Sequence, residues 1–551
     1  MHSIESRIAA ILAVLLIAGV IIGVAASGKE ITYPVEEEVK ETATYEIGKD
    51  TLRIWYTDEN LTDYLNKVAV NYASEHEGIR VVPVLVSGRE YLEGISDASM
   101  SDEELPDLFI TTGNTLEKAN LAGLADPIEP PEGVDIVSMF PQTAINAITY
   151  KDSMVAYPMF FECSALCYNY TYLEDWARNT LESEIRAEMA EQEKEAAENK
   201  TEETKTTDSK TSDSKTTDSK TSDSKTTDSK TTTSEEDKKK AEEEAKKAQD
   251  ELISSMVSDE DVAAYIDENL PVTIDKLLVL SNNFDAPEGV DTIFKWAVTD
   301  IFYNYFFIGD SIKVGGAHGD DTSQIDIYNE DAIKGLTTYQ NLNQFFSIST
   351  DDVSYSGVLE DFKEGRIVMT IVTSDSVRML KEASDEGELD FEYRFAPLPN
   401  ISEAVPARSM SVTDAIAING YSDHKEQAND FAYYLCSQDP KDLYEWTGKV
   451  SSLSKSYFDG YNDPELSVFA SEYTRSIPLP KMLETSNYWV NLELIFASVW
   501  DGADANECLK ELSEQMKLQV TGEEVTEEKI VIEEEVVEED EIIEEDTIPS
   551  E

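Results

Sequence analysis

Apolar and polar positions alternate over residues 51–56, where Leu52, Ile54 and Tyr56 are set against Arg53 and Trp55, the two-residue period of a strand. The polar loop Thr57-Asp58-Glu59-Asn60 follows. The period then changes: Leu61, Leu65, Val68 and Tyr72 fall on one face of a helix that Gly78 closes. The apolar run over residues 79–86 predicts a buried strand, completing a strand–helix–strand unit. Residues 106–110 repeat the arrangement, ending in Thr111-Thr112-Gly113-Asn114 before a short helix stopped at Gly123. Both polar loops are therefore expected at one edge of one sheet, where open α/β folds hold ligands.

Residues 157–170 read as a long extended segment, Tyr-Pro-Met-Phe-Phe-Glu-Cys-Ser-Ala-Leu-Cys-Tyr-Asn-Tyr. Pro158 is unsuited to a helix interior, and residues 163–168 show no polar face at helical period. Glu162, the one acid in the run, either ends the strand or faces a group that hydrogen-bonds it. Further on, Gly365 stops a helix before the apolar strand that ends at Ile371. A helix is predicted from Asp423, with Asp423 and Glu426 as a capping box and Ala428, Phe431, Ala432 and Leu435 as its inward stripe. The aromatic-rich stretch 296–307 reads as core, with Tyr303 and Asp300 as candidates to face a cleft. Over 503–517, Leu509, Leu512 and Met516 turn one helical face inward.

Several phrases resemble one family, the extracellular solute-binding proteins of ABC importers in their maltose-binding branch. They are Leu105-Pro-Asp-Leu-Phe, Leu121-Ala-Gly-Leu-Ala-Asp-Pro-Ile, the Tyr157-Pro…Glu162…Tyr168-Asn pattern, Phe362-Lys-Glu-Gly-Arg-Ile-Val-Met-Thr-Ile and Asn487-Tyr-Trp-Val-Asn. The resemblance implies an α/β fold of two discontinuous lobes joined by a hinge, with lobe 1 at 51–160 and 407–455 and lobe 2 at 161–406 and 456–520. It implies ligand capture by hinge closure and delivery to a membrane permease, with no bond made or broken and no cofactor. The matching positions for ligand contact are Tyr56, Glu59, Asn60, Asn114, Glu162, Asp375, Tyr488 and Trp489. Trp489 is the strongest pointer to carbohydrate, since an aromatic face covers the C–H face of a pyranose while acids and amides take its hydroxyls. The family's stacking Trp has no counterpart at Asp375, and the loop pairs at Glu59-Asn60 and Gly113-Asn114 differ from its maltose binder, which implies the same pocket with a different ligand.

Two features depart from the family. Five pentapeptides over 206–230 alternate Thr-Thr-Asp-Ser-Lys with Thr-Ser-Asp-Ser-Lys and contain no apolar residue, so the tract 201–234 is expected to be disordered. Leu173, Ala177, Leu181, Ile185 and Met189 before it, and Ala241, Ala245, Ala248, Leu252 and Met256 after it, predict an antiparallel helical hairpin spanning 175–258. The second departure is the N-terminus. The uncharged residues 8–26 approach the length of a membrane span, so 1–28 is expected to anchor the chain to the outer face of the membrane or to act as a signal segment, with 29–50 as spacer. No cysteine follows for lipid attachment.

A net charge of −69 excludes a basic footprint for nucleic acid or an anionic membrane surface. Fifteen acids against Lys529 lie in 521–551, expected to be a disordered tail. The four cysteines contain no CxxC and suit free or buried thiols, and His318 in its glycine-rich loop reads as a turn residue. Small-molecule capture by a monomer is the expected function. A surface scaffold without a transporter and a secreted glycosidase are the rival classes, the latter lacking any carboxyl pair that the sequence singles out.

Overall fold

The computed structural model describes residues 50–101, 105–207, 235–351, 353–457 and 463–532. The first strand, β1 (Asp50–Tyr56), buries Leu52, Ile54 and Tyr56 as its alternation demands. Helix α1 (Thr62–Glu75) turns Tyr64, Leu65, Val68, Ala69 and Tyr72 inward and leads to β2 (Ile79–Leu85). After α2 (Tyr91–Met100) comes β3 (Leu108–Thr112), parallel to β1 with Ile54 opposite Leu108. The extended run is two strands, β4 (Tyr157–Glu162) and β5 (Ser164–Asn169), with Cys163 alone between them. Helices α3 (Tyr170–Thr207) and α4 (Glu235–Met256) follow, then β6 (Thr292–Phe294), α5 (Tyr355–Lys363), β7 (Ile367–Thr373), β8 (Tyr393–Ala396) and β9 (Met410–Ile418). The remaining elements used below are α6 (Lys425–Cys436), β10 (Val450–Ser451), α7 (Pro464–Arg475), α8 (Tyr488–Trp500) and α9 (Ala505–Thr521).

Two sheets organise these elements. The first runs β10-β4-β9-β3-β1-β2, with Ile477–Pro478 also paired to β9; the second runs β8-β5-β7-β6. The long segment around Cys163 thus enters the first sheet as β4 and the second as β5. Strand β9 lies antiparallel to both β3 and β4, so β1, β3 and β4 all point the same way. Their C-terminal ends, and the loops after them, share one edge. Separate aromatic and aliphatic cores lie under the two sheets: Tyr64, Tyr157 and Phe431 belong to the first, Trp296, Tyr339 and Trp500 to the second.

Several local expectations change. Strand β2 is the sheet edge, and only Val81 in it is buried, because no further strand covers it. Helix α6 buries Ala428, Phe431, Ala432 and Leu435 as expected, but Asp423 and Glu426 form no capping box. The helix begins at Lys425 with His424 as its N-cap, and Ser422 Oγ takes the backbone N–H of His424 at 2.9 Å. Cys163, Cys167, Cys436 and Cys508 are free thiols, the first three buried. Helices α3 and α4 are joined across 64 residues by Arg186 to Asp250 at 2.8 Å, and Ile253 is fully buried near their base.

Part of the acidic tail is docked. Glu527 meets Ser513 Oγ at 2.7 Å and pairs with Lys517, while the backbone of Ile530 bonds both Asn506 and Tyr328. The apolar residues Ile530 and Ile532 pack against the second core. Interleaved isoleucines, and Lys510, Lys517 and Lys529 near these acids, give this stretch contacts that its charge count conceals. The expected anchor at 1–28, the spacer up to residue 49 and residues 208–234 of the tract expected to be disordered lie outside the described residues, whereas the first residues of that tract, 201–207, continue helix α3. Among the described residues no helix is long and apolar enough to cross a membrane.

Candidate functional site

The shared edge of β1, β3 and β4 lines a cavity of about 710 Å³, to which the segment 480–489 also contributes. Asn114, Glu162 and Trp489 all line it. Asn114 sits in the turn after β3, where its Oδ1 accepts from Thr112 Oγ1 at 2.6 Å. Glu162 is the last residue of β4 and stands directly before the Cys163 joint. Trp489, in the first turn of α8, is half-buried, its ring edge-on to Tyr488 at 4.8 Å between centroids.

The other expected contacts lie elsewhere. Tyr56 is buried at 2% exposure, its hydroxyl donating to Thr62 Oγ1 at 3.0 Å beneath the loop. Glu59 and Asn60 are exposed because Asp58 caps the short 3-10 turn Glu59–Leu61, accepting from Asn60 N at 3.0 Å. That turn buries Leu61 and faces its neighbours outward, so Asp58 is the acid that reaches the cavity. Asp375 is exposed and bonds Thr373 and Tyr355 outside the cavity. Tyr488 is 1% exposed, committed to the core behind Trp489.

Sequence reasoning missed a group lining the cavity. Lys449, which follows the left-handed Gly448 (φ 73°) and precedes β10, lies 3.0 Å from Asp58 Oδ2 and 3.3 Å from Glu162 Oε1. Its ammonium also stands 5.3 Å from the centroid of the Phe160 ring. Burial works against the charge on Lys449, and the two carboxylates outweigh it, leaving its pKa raised. Asp414 projects from β9, in register with Thr112 on one side and Phe160 on the other. Burial first, and then the charge of Glu162, push the Asp414 carboxyl up to about 7. An acid inside an otherwise apolar strand was a readable signal here, as it was at Glu162.

In the segment 480–489, Lys481 is 1% exposed and donates to the backbone carbonyls of Asn146, at 3.0 Å, and His318. Burial lowers its pKa to about 8. Nearby, Glu117 accepts from Leu483 N at 2.9 Å and from Tyr150 Oη at 3.2 Å. His318 therefore contributes a carbonyl in a turn. Among the described residues no three acid, imidazole or thiol groups are placed to hold a metal ion. The arrangement offers an aromatic face, an amide and several carboxyls around a volume suited to a small polar molecule.

Comparison with known proteins agrees with the fold. Residues 245–441 match the family model described as bacterial extracellular solute-binding protein. A maltooligosaccharide ABC transporter solute-binding lipoprotein of Streptococcus pneumoniae is 22% identical over 212 residues, which are 37% of this chain and 49% of that protein. The match thus spans about half the length of that relative. The extracellular solute-binding protein of Staphylococcus aureus, solved in complex with maltose, superposes with a TM-score of 0.59 at 16% identity, covering 85% of this chain and 97% of the other. The maltose-binding periplasmic protein of Listeria monocytogenes, also with maltose, gives 0.57 at 16% identity over 86% and 99%.

Proposed function

We propose that this chain, which through residues 245–441 belongs to the bacterial extracellular solute-binding proteins, captures a sugar or short oligosaccharide and delivers it to an ABC permease. The observation that carries the reading is the cavity itself. Trp489 lines it together with Asn114, Asp58, Glu162 and Lys449. An aromatic platform and polar groups in one cavity are what a pyranose requires. The maltose bound in both structural relatives supports the same class.

Capture proceeds by rotation of lobe 1 (51–160, 407–455) against lobe 2 (161–406, 456–520) about the joint at Cys163, bringing Trp489 onto the sugar while the polar groups take its hydroxyls. No bond is made or broken. Residues 8–26 anchor the chain at the outer face of the membrane, and α3 with α4 forms a helical hairpin appended to lobe 2.

Small-angle scattering and thermal unfolding with a panel of mono- and oligosaccharides test the reading. A sugar that reduces the radius of gyration and raises Tm is expected, since a ligand bound only by the folded state stabilises it in proportion to its occupancy. A panel without effect on either observable overturns it.

A further inference from the structure

We propose that the captured ligand is cationic, an amino sugar or an oligosaccharide of amino sugars, with its ammonium group received by Asp414 beside Asp58 and Glu162. This rests on the sugar-capture reading and narrows it.

Five carboxyl-bearing side chains and three lysines line the cavity. The pairing among them is uneven. Lys118 is held by Glu93 at 2.5 Å, and Lys481 is turned to backbone carbonyls. Lys449 is shared between Asp58 and Glu162. This leaves the side chains of Glu90 and Asp414 with no hydrogen-bond or ion-pair partner among the described residues; Glu90 is exposed, whereas Asp414 sits inside the sheet between β3 and β4. The groups that face it are Phe160 and Glu162 from β4, Thr112 from β3, Lys449 before β10 and Asp58 after β1.

Burial and like charge therefore both resist its ionisation, and Lys449 opposes them only in part. A neutral hydroxyl could donate to Asp414 but would leave the repulsion among the three carboxyls intact. An ammonium group would donate as well and also cancel it. The aromatic surface is compatible with a cation, since the Lys449 ammonium already lies against Phe160. Among the described residues these acids form no group of three placed to hold a metal ion.

Calorimetric titration of the full chain with glucosamine oligomers, their N-acetylated counterparts of equal length, maltotriose and spermidine tests the proposal. The free-amine oligomers are expected to bind at least about tenfold tighter than the N-acetylated ones. At a pH below the amine's own pKa, where the ligand is already an ammonium, binding should release protons as Asp414 ionises, read as a dependence of the heat on buffer ionisation enthalpy. Asp414→Asn should collapse the amine preference and abolish the proton release, with folding checked by thermal unfolding.

Equal or tighter binding of N-acetylated oligomers or maltotriose overturns the charge proposal and leaves sugar capture standing. Spermidine binding as tightly as the amino sugar overturns it in the other direction, since charge without a sugar would then suffice. No binding by any carbohydrate defeats sugar capture and this inference with it.

Discussion

Phe161 and Tyr473 lie face to face, ring centroids 3.9 Å apart and planes 2° from parallel. Phe161 ends the buried part of β4, two residues before the Cys163 joint, and Tyr473 comes from α7. The Tyr473 hydroxyl also bonds Thr413 Oγ1 at 2.7 Å, fixing α7 to β9. Tyr473→Phe keeps the stack and should cost about 1 kcal/mol for the lost hydrogen bond. Tyr473→Ala removes both and should cost about 3–5 kcal/mol. Urea unfolding of the two variants checks the order and the size of the step.

Stability should depend on the protonation of Asp414. Its folded pKa of about 7 lies above the ordinary carboxylate value, so the folded chain retains a proton that the unfolded chain has already lost. The stabilising contribution is complete below about pH 4 and is lost as pH rises through about 7. Asp414→Asn should therefore gain on the wild type between about pH 5 and pH 7.5, read from urea midpoints at each pH. A constant difference across that range would contradict the assignment.

Two glycines should respond oppositely to alanine. A Cβ on Gly335, in the helix Glu330–Phe346, would lie 2.2 Å from the carbonyl oxygen of Phe307. Backbone must move to admit it, and Gly335→Ala should cost about 1–3 kcal/mol. Gly94, in α2, has nothing within 4 Å of a Cβ, so Gly94→Ala should gain about 0.5–1 kcal/mol from helix propensity alone. Thermal unfolding distinguishes the signs.

Trp489→Ala should weaken binding of an identified sugar by about tenfold or more, with little change in Tm, because the ring is half-buried at the rim of its core. Tyr488→Ala, by contrast, should lower Tm by emptying a fully enclosed site. Affinity and melting measured on the same two variants separate a ligand platform from a core residue that differs by one position.

Removing residues after Gly522 should destabilise the chain by about 1–2 kcal/mol, since the Ile530 backbone loses its bonds to Asn506 and Tyr328, and Glu527 its partner Ser513. Unchanged unfolding of the truncated chain would show that these contacts contribute nothing.

What the sequence disclosed followed the range of the forces involved. The alternation in β1, the wholly buried β7 and the apolar stripe of α6 are set by neighbours within a few residues, and each was readable. The resemblance also located Glu162, Asn114 and Trp489 at what proved to be one cavity. Glu59 and Asn60 were misplaced by a single capping bond from Asp58, a detail finer than periodicity resolves. Lys449 was invisible for a different reason. Its partners Asp58 and Glu162 are distant in sequence; the pairing of β10 with β4 brings it to Glu162, and the strand order of the first sheet brings the end of β1, with Asp58, to the same edge.

The position of β9 in the first sheet bears on how the chain is made. Strands β3 and β4 are complete by residue 162, yet the strand between them, Met410–Ile418, arrives roughly 250 residues later. A chain growing from its N-terminus must carry two unsatisfied strand edges through the synthesis of the entire second sheet. The first sheet is thus the last to close, and a ribosome-stalled fragment ending before Met410 should lack it. Such late closure lengthens the interval in which a nascent chain can be held unfolded by other factors, and it also lengthens exposure to aggregation. The strong negative charge distributed along the body of the chain works against that second outcome while the sheet waits for its central strand.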